Sequence, residues 1–149
     1  MASRIVRPET TTLHISAGDW VLVKKRLNAG EQRAMFARMY LAGVDGLLHV
    51  NPLQGGLARI TAYLLDWSLT APDGSQIVIR DEPIDAVARA LDALDTESFG
   101  EIRLAIEAHE EAMAKAREQE KNGQGGETAS PAISPSPSAV AGASSGSVN

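Results

Sequence analysis

The chain has 149 residues, a net charge of −5, two Trp and no Cys. That length suits a single domain, and the lack of cysteine excludes disulfides and thiolate metal sites. Its apolar runs reach only four or five residues, far short of a membrane span.

The opening residues, Met1 to Pro8, carry Arg4 and Arg7 with no apolar stretch behind them, so no secretory signal is expected and the protein is placed in a cytoplasm. Residues 1–9 read as a flexible lead. From Thr10 to Ile15 polar and apolar residues alternate, Ser16 to Asp19 offers a turn, and Trp20 to Val23 resumes an extended run. Thr, Val, Ile and Trp suit a half-buried pleated surface, so a β-hairpin is expected. Two strands alone are marginal, and the hairpin must pack on helices.

A helix opens next. Asn28 is a good N-cap and Glu31 stands three residues on, as in a capping box. Met35, Phe36, Met39 and Tyr40 share one face at helical spacing, with Gly43 as the expected stop. Residues 42–56 hold Gly43, Gly46, Pro52, Gly55 and Gly56 and read as an irregular loop, long enough to serve a function. A second helix is expected where Leu57, Ile60, Leu64 and Trp67 step three, four and three residues. Ala71 to Gly74 is a turn in which Pro72 sets φ and Gly74 takes positive φ, and Gln76 to Arg80 reads as a short extended piece.

Asp81-Glu82-Pro83 is the expected start of a third helix, with Ile84, Val87, Leu91 and Leu94 on its apolar face. Asp95 or Thr96 caps a fourth, over 97–120, whose stripe is Phe99, Ile102, Ile106, His109 and Met113. Beyond Met113 that stripe thins to Ala116. The last two turns are therefore expected to project from the body or meet a partner, since a polar helix end frays without one. From Asn122 the sequence is Gly, Ser, Ala and Pro with isolated Val and Ile, too poor in apolar area to offset chain entropy. The expected organisation is a mostly α (α+β) domain over 10–121, with about four helices and an N-terminal β-hairpin, followed by a disordered tail or linker over 122–149.

Charge argues against broad nucleic-acid binding. Residues 1–40 hold seven Lys/Arg against three Asp/Glu, residues 41–96 three against eight, and residues 97–149 four against eight. Phosphate neutralisation needs clustered cations, and the cluster Lys24-Lys25-Arg26 reads as a solvated strand end.

No constellation for catalysis emerges. His14, His49 and His109 have no partners at metal-ligand spacing, and the phosphate-loop, dinucleotide and nucleophile-elbow patterns are all missing. The paired acids Asp81/Glu82, Asp92/Asp95 and Glu110/Glu111 read as helix termini or solvated faces. No catalytic residue, metal site or cofactor is assigned. Trp20 and Trp67 read first as packing residues, with Trp20 and Tyr40 as interface anchors in the rival reading.

Three stretches in order carry a resemblance. Trp20 to Arg33 runs from a strand through Lys24-Lys25-Arg26-Leu27 into Gly30-Glu31-Gln32-Arg33. Tyr63 to Gly74 passes through Asp66-Trp67-Ser68-Leu69-Thr70 into a turn. Phe99, Glu101-Ile102, Ala105-Ile106 and His109 precede a charged helix end and the Gly/Ser/Pro tail. This order, over roughly residues 18–121, resembles the tail assembly chaperones of long-tailed bacteriophages and of bacterial gene clusters derived from them. The resemblance implies a non-catalytic protein of the host cytoplasm that is left out of the mature virion. It implies two partners: the helical tape-measure protein, which it coats, and the tail-tube protein, whose assembly it promotes. It also implies a longer frameshifted form in many members, with segment 122–149 standing where the linker would be; self-association is left open. The contact residues expected on the apolar faces are Met35, Met39, Tyr40, Ile106, His109 and Met113, because Met adapts to varied apolar partners. The rival reading of the methionines is core filling. The alternative function is a structural virion component, such as a head–tail connector or minor tail protein.

Overall fold

The computed structural model describes residues 3–124. Residues 3–9 hold no helix or strand. The expected disordered tail lies outside the described residues from position 125 on, and residues 122–124 belong to the last helix. The fold is a small mixed α+β domain.

Strands β1 (Thr10–His14) and β2 (Trp20–Lys24) form the expected antiparallel hairpin, from Thr10↔Lys24 to His14↔Trp20. The reversal between them is a 3-10 turn, Ser16–Gly18, in which Ala17 (φ 60°) and Gly18 (φ 78°) both sit in the left-handed region. Helix α1 (Ala29–Met39) follows with its capping box complete: the Asn28 side chain accepts from the Glu31 N–H at 2.8 Å, and the Glu31 carboxylate accepts from the Asn28 N–H at 3.2 Å. Burial pushes the Glu31 carboxyl up, but the Lys24 ammonium and the Asn28 N–H outweigh it and hold it below the ordinary carboxylate value.

Three expectations are corrected here. The first helix ends at Met39, not near Gly43, because Tyr40 is already extended (φ −107°, ψ 140°). Residues 42–56 are not irregular: Tyr40–Ala42 (β3) and Leu48–Val50 (β4) pair as a second hairpin, and helix α2 (Pro52–Tyr63) begins directly after it. Pro52 occupies the first helical position, where its missing N–H costs nothing, and the Asn51 carbonyl accepts from Gly55 at 2.8 Å. Gly55 and Gly56 lie inside this helix. A Cβ on Gly56 would stand 2.8 Å from Arg103 Cδ.

The third correction concerns Leu64 to Trp67, which is strand β5 and not the end of a helix. β5 joins the edge of β2, giving a sheet of order β1-β2-β5. The register runs Val21↔Trp67, Leu22↔Asp66 and then Val23↔Leu64, so Leu65 is the extra residue of a β-bulge. Strand side chains alternate faces, and one extra residue flips the parity. Leu64 and Trp67, three apart, are thereby both buried, opposite the fully buried Val23 and Val21.

Gly74 closes the expected turn with φ 87°, and Thr70 bridges Gln76 beyond it. The stretch after Gln76 forms no strand, but the Ile77 carbonyl accepts from the Trp67 indole N–H at 2.8 Å. Helix α3 (Ile84–Asp92) starts after Pro83, its N-cap, and Asp81 stands outside it at φ 61°. Helix α4 (Thr96–Gln124) is capped by Asp95, whose Oδ1 accepts from the Ser98 N–H at 2.8 Å. Its stripe packs as expected, with Ile102 and Ile106 fully buried beside Ile60, Leu91 and Trp67. Glu101 reaches from α4 to the first hairpin, where the Ser16 hydroxyl donates to it at 2.8 Å.

The chain divides into a compact unit ending at Met113 and a second beginning at Ala114. In the second unit residues 114–124 are helical, and each side chain from Ala114 to Gly123 is exposed.

Candidate partner-binding surface

The β3–β4 hairpin departs most from ordinary surface composition. It pairs Tyr40↔Val50, Leu41↔His49 and Ala42↔Leu48, and all six residues are exposed. Leu41 and Val50 are each 55% exposed, Leu47 63% and Leu48 71%; Val44, at the tip, is fully open. Alternation puts Tyr40, Ala42, Leu48 and Val50 on one face and Leu41 with His49 on the other. Phe36, one turn before Tyr40 on α1, is 42% exposed. A clustered run of exposed large apolar residues marks an interaction site more often than single scattered ones do.

Local hydrogen bonds hold the hairpin together. At its base the Asn51 N–H donates to the Met39 carbonyl at 2.9 Å, and near its tip the Gly43 N–H donates to Leu47 at 2.8 Å. Val44, Asp45 and Gly46 form a three-residue loop, with Gly46 at φ 78° in the position that favours glycine. Asp45 accepts from the Leu47 N–H at 3.0 Å and lies 3.1 Å from His49 Nε2. The Leu47 N–H first, and His49 second, hold the Asp45 carboxyl below the ordinary value. A Cβ on Gly43 would fall 2.6 Å from the His49 ring and 2.7 Å from Asp45 Oδ1, so both exposed side chains would have to shift.

Of the six residues expected at a partner contact, four are inside the core. Met35, Met39 and Ile106 are buried among apolar neighbours, so the methionines fill the core. His109 is also buried, with its ring edge-on to Tyr63 and Nε2 within 3.3 Å of two backbone carbonyls, those of Lys24 and Lys25. Met113 is half-buried, and Tyr40 is exposed at the foot of the hairpin. The apolar stripes of α1 and α4 therefore belong to the fold. Among the described residues, the exposed large aliphatic side chains that cluster on one element are Leu41, Val44, Leu47, Leu48 and Val50, none of which the sequence reading names as a contact. The available signal was five large aliphatic residues within a glycine-punctuated stretch, a composition unlike a solvated loop.

Lys24-Lys25-Arg26 does lie at a strand end. Lys24 pairs with Glu31, and Lys25 with Glu9 at 3.3 Å. Arg7, Lys24, Arg26, Glu9 and Glu31 line a cleft of about 310 Å³, where cations and carboxylates nearly balance. Among the described residues, no group of three or more His, Asp or Glu is placed to hold a metal ion, and no helix is long and apolar enough to cross a membrane. No protein-family model, curated protein or solved structure matches this chain.

Proposed function

We propose that this chain is a tail assembly chaperone of a long-tailed bacteriophage or of a gene cluster derived from one. In this reading it is a non-catalytic protein of the host cytoplasm that binds the tape-measure protein and promotes assembly of the tail-tube protein around it. The observation that carries the reading is the exposed apolar hairpin, Tyr40 to Val50, borne on a domain whose own core is complete without it. A tape-measure protein exposes long apolar helical surface until the tube covers it. Aliphatic side chains without fixed polar partners can meet such a surface at many registers, because apolar contact is non-directional.

Co-expression with the tape-measure protein encoded beside it, followed by pull-down and a solubility assay, tests this. The reading requires the tape-measure protein to stay soluble and co-purify, and requires Leu41→Lys/Leu48→Lys to abolish both effects while leaving the chain folded. Equal aggregation with and without this chain overturns it, as does finding the chain as a stoichiometric component of purified virions by mass spectrometry.

A further inference from the structure

The hairpin has edges as well as faces, and the edges point to a different occupant. In the β3–β4 ladder the bonded positions are the odd ones, since Gly43 N–H donates to Leu47 and Asn51 N–H to Met39. The pairs Tyr40↔Val50 and Ala42↔Leu48 are then the non-hydrogen-bonded ones. On β4, Leu48 and Val50 therefore turn their N–H and C=O groups outward, along an edge with no neighbouring strand in its two-stranded sheet. Proteins commonly guard such edges with Lys, Pro or a covering element. β4 is Leu-His-Val and is exposed throughout.

We propose that the β4 edge pairs with the same edge of a second copy, joining two hairpins into one four-stranded antiparallel sheet. Two arguments select a second copy. The first is geometric. An antiparallel edge is its own complement under a two-fold axis: with His49 on the axis, Leu48 of one copy meets Val50 of the other, and each supplies both the donor and the acceptor that its counterpart needs. A two-stranded hairpin on its own is marginal in water, and the pairing would give it two further strands. The second is charge. The chain carries −5, and two copies repel wherever acidic surface meets acidic surface. Between Tyr40 and Val50 the only Asp, Glu, Lys or Arg is Asp45, and it sits at the tip, off the paired edge, with its carboxylate 3.1 Å from His49 Nε2 of its own hairpin. Two acidic chains can meet on this element with little Coulomb cost. Three-residue strands offer few main-chain bonds, so the dimer forms and dissociates with concentration. This inference does not depend on the chaperone reading, which concerns the faces of the hairpin.

The test is analytical ultracentrifugation of the full chain over a concentration series, at low and at high salt. The expected result is a reversible monomer–dimer equilibrium that added salt does not weaken. Val50→Pro removes an outward N–H and leaves the ladder within the hairpin intact, which an edge position tolerates. It should raise the dissociation constant about tenfold or more, with an unchanged far-UV circular dichroism spectrum. Should Val50→Pro perturb that spectrum, Leu48→Lys, a charge on the same edge, decides in its place. A wild-type chain that remains monomeric throughout overturns the proposal. So does a dimer that a folded edge variant leaves intact, or one that salt dissolves.

Discussion

His109 Nε2 lies 3.0 Å from the carbonyl oxygen of Lys25 and 3.3 Å from that of Lys24. Carbonyl oxygens only accept, so Nε2 carries the proton and one N–H is shared between the two. This bond ties the end of β2 to α4 across 84 positions of sequence. Removing the donor leaves partly buried acceptors unanswered, which costs about 1–3 kcal/mol. Loss of packing against Tyr63 adds to that. His109→Ala should therefore lower the urea midpoint clearly, with an unchanged slope. A midpoint equal to the wild type would show that the carbonyls find water at no cost and that this histidine is dispensable to the fold.

Trp67 is fully buried, and its indole N–H donates to Ile77. Trp67→Phe keeps much of the ring but orphans the Ile77 carbonyl, for a loss of about 1–3 kcal/mol in chemical denaturation. Trp20 is only half-buried, and Trp20→Phe should cost less than about 1 kcal/mol. The Trp20→Phe protein also reports on Trp67 alone. Its emission should be blue-shifted when folded and move to the red in one transition with the loss of circular dichroism.

These two residues also mark where the sequence was and was not legible. Asn28 and Glu31 announced the start of α1, and Ile102, Ile106 and His109 announced the packed face of α4, because caps and helical stripes are local signals. Trp67 departs from the helical expectation for a physical reason. A bulge at Leu65 puts Leu64 and Trp67 on one side of a strand, and the resulting three-residue step continues the helical rhythm of Leu57 and Ile60. Only the pairing with Val21 and Val23, more than 40 positions away, distinguishes the two. The candidate surface was hidden differently. Spacing identifies apolar faces but does not tell which face the core consumes, so Met35, Met39 and Ile106 looked available. Leu41, Leu48 and Val50 stand beside Gly43 and Gly46, two glycines that signal a loop and mask the hairpin.

If the hairpin tip is surface that the fold does not use, polar replacement there should be thermodynamically silent. Val44 and Leu47 are both largely open. Val44→Ser/Leu47→Ser should change unfolding free energy by no more than about 0.5 kcal/mol. The same double substitution should reduce binding of an apolar dye such as ANS, which reports exposed hydrophobic surface. A large loss of stability would mean that these side chains are packed and would remove the hairpin from consideration as a docking surface.

Residues 114–123 are exposed, and the compact unit ends at Met113. A chain truncated after Lys115 should thus keep its cooperative unfolding, with a midpoint within about 0.5 kcal/mol of the full chain. The same truncation separates fold from function: if tape-measure binding is lost while the urea transition is retained, the helix end is a contact surface and not a structural prop. Loss of cooperative unfolding would show instead that the core extends past Met113.

The acid limb of stability should carry a signature of Asp95. Its Oδ1 accepts from the Ser98 N–H at 2.8 Å and its Oδ2 from the Ser98 hydroxyl at 2.7 Å, at the positive end of α4. The Ser98 N–H first, and the hydroxyl second, hold this carboxyl below its ordinary value. A group whose folded pKa is depressed contributes stability above its unfolded pKa, near ~3.9 for Asp, and loses it as pH falls through the lower folded value. Asp95→Asn keeps a capping oxygen, since Asn and Asp cap about equally well, but removes the titration and the charge. Glu31, Asp45 and Asp73 are also held below their ordinary values, but they are common to both proteins and cancel in the comparison. The wild type should therefore be the more stable protein at pH 7. Its advantage should hold down to about pH 4, near the unfolded pKa, and shrink as pH falls through the lower folded value. Thermal melts of the two proteins across that range measure the difference directly. A gap that stayed constant from pH 7 to pH 2 would mean that the carboxylate charge plays no part in capping α4.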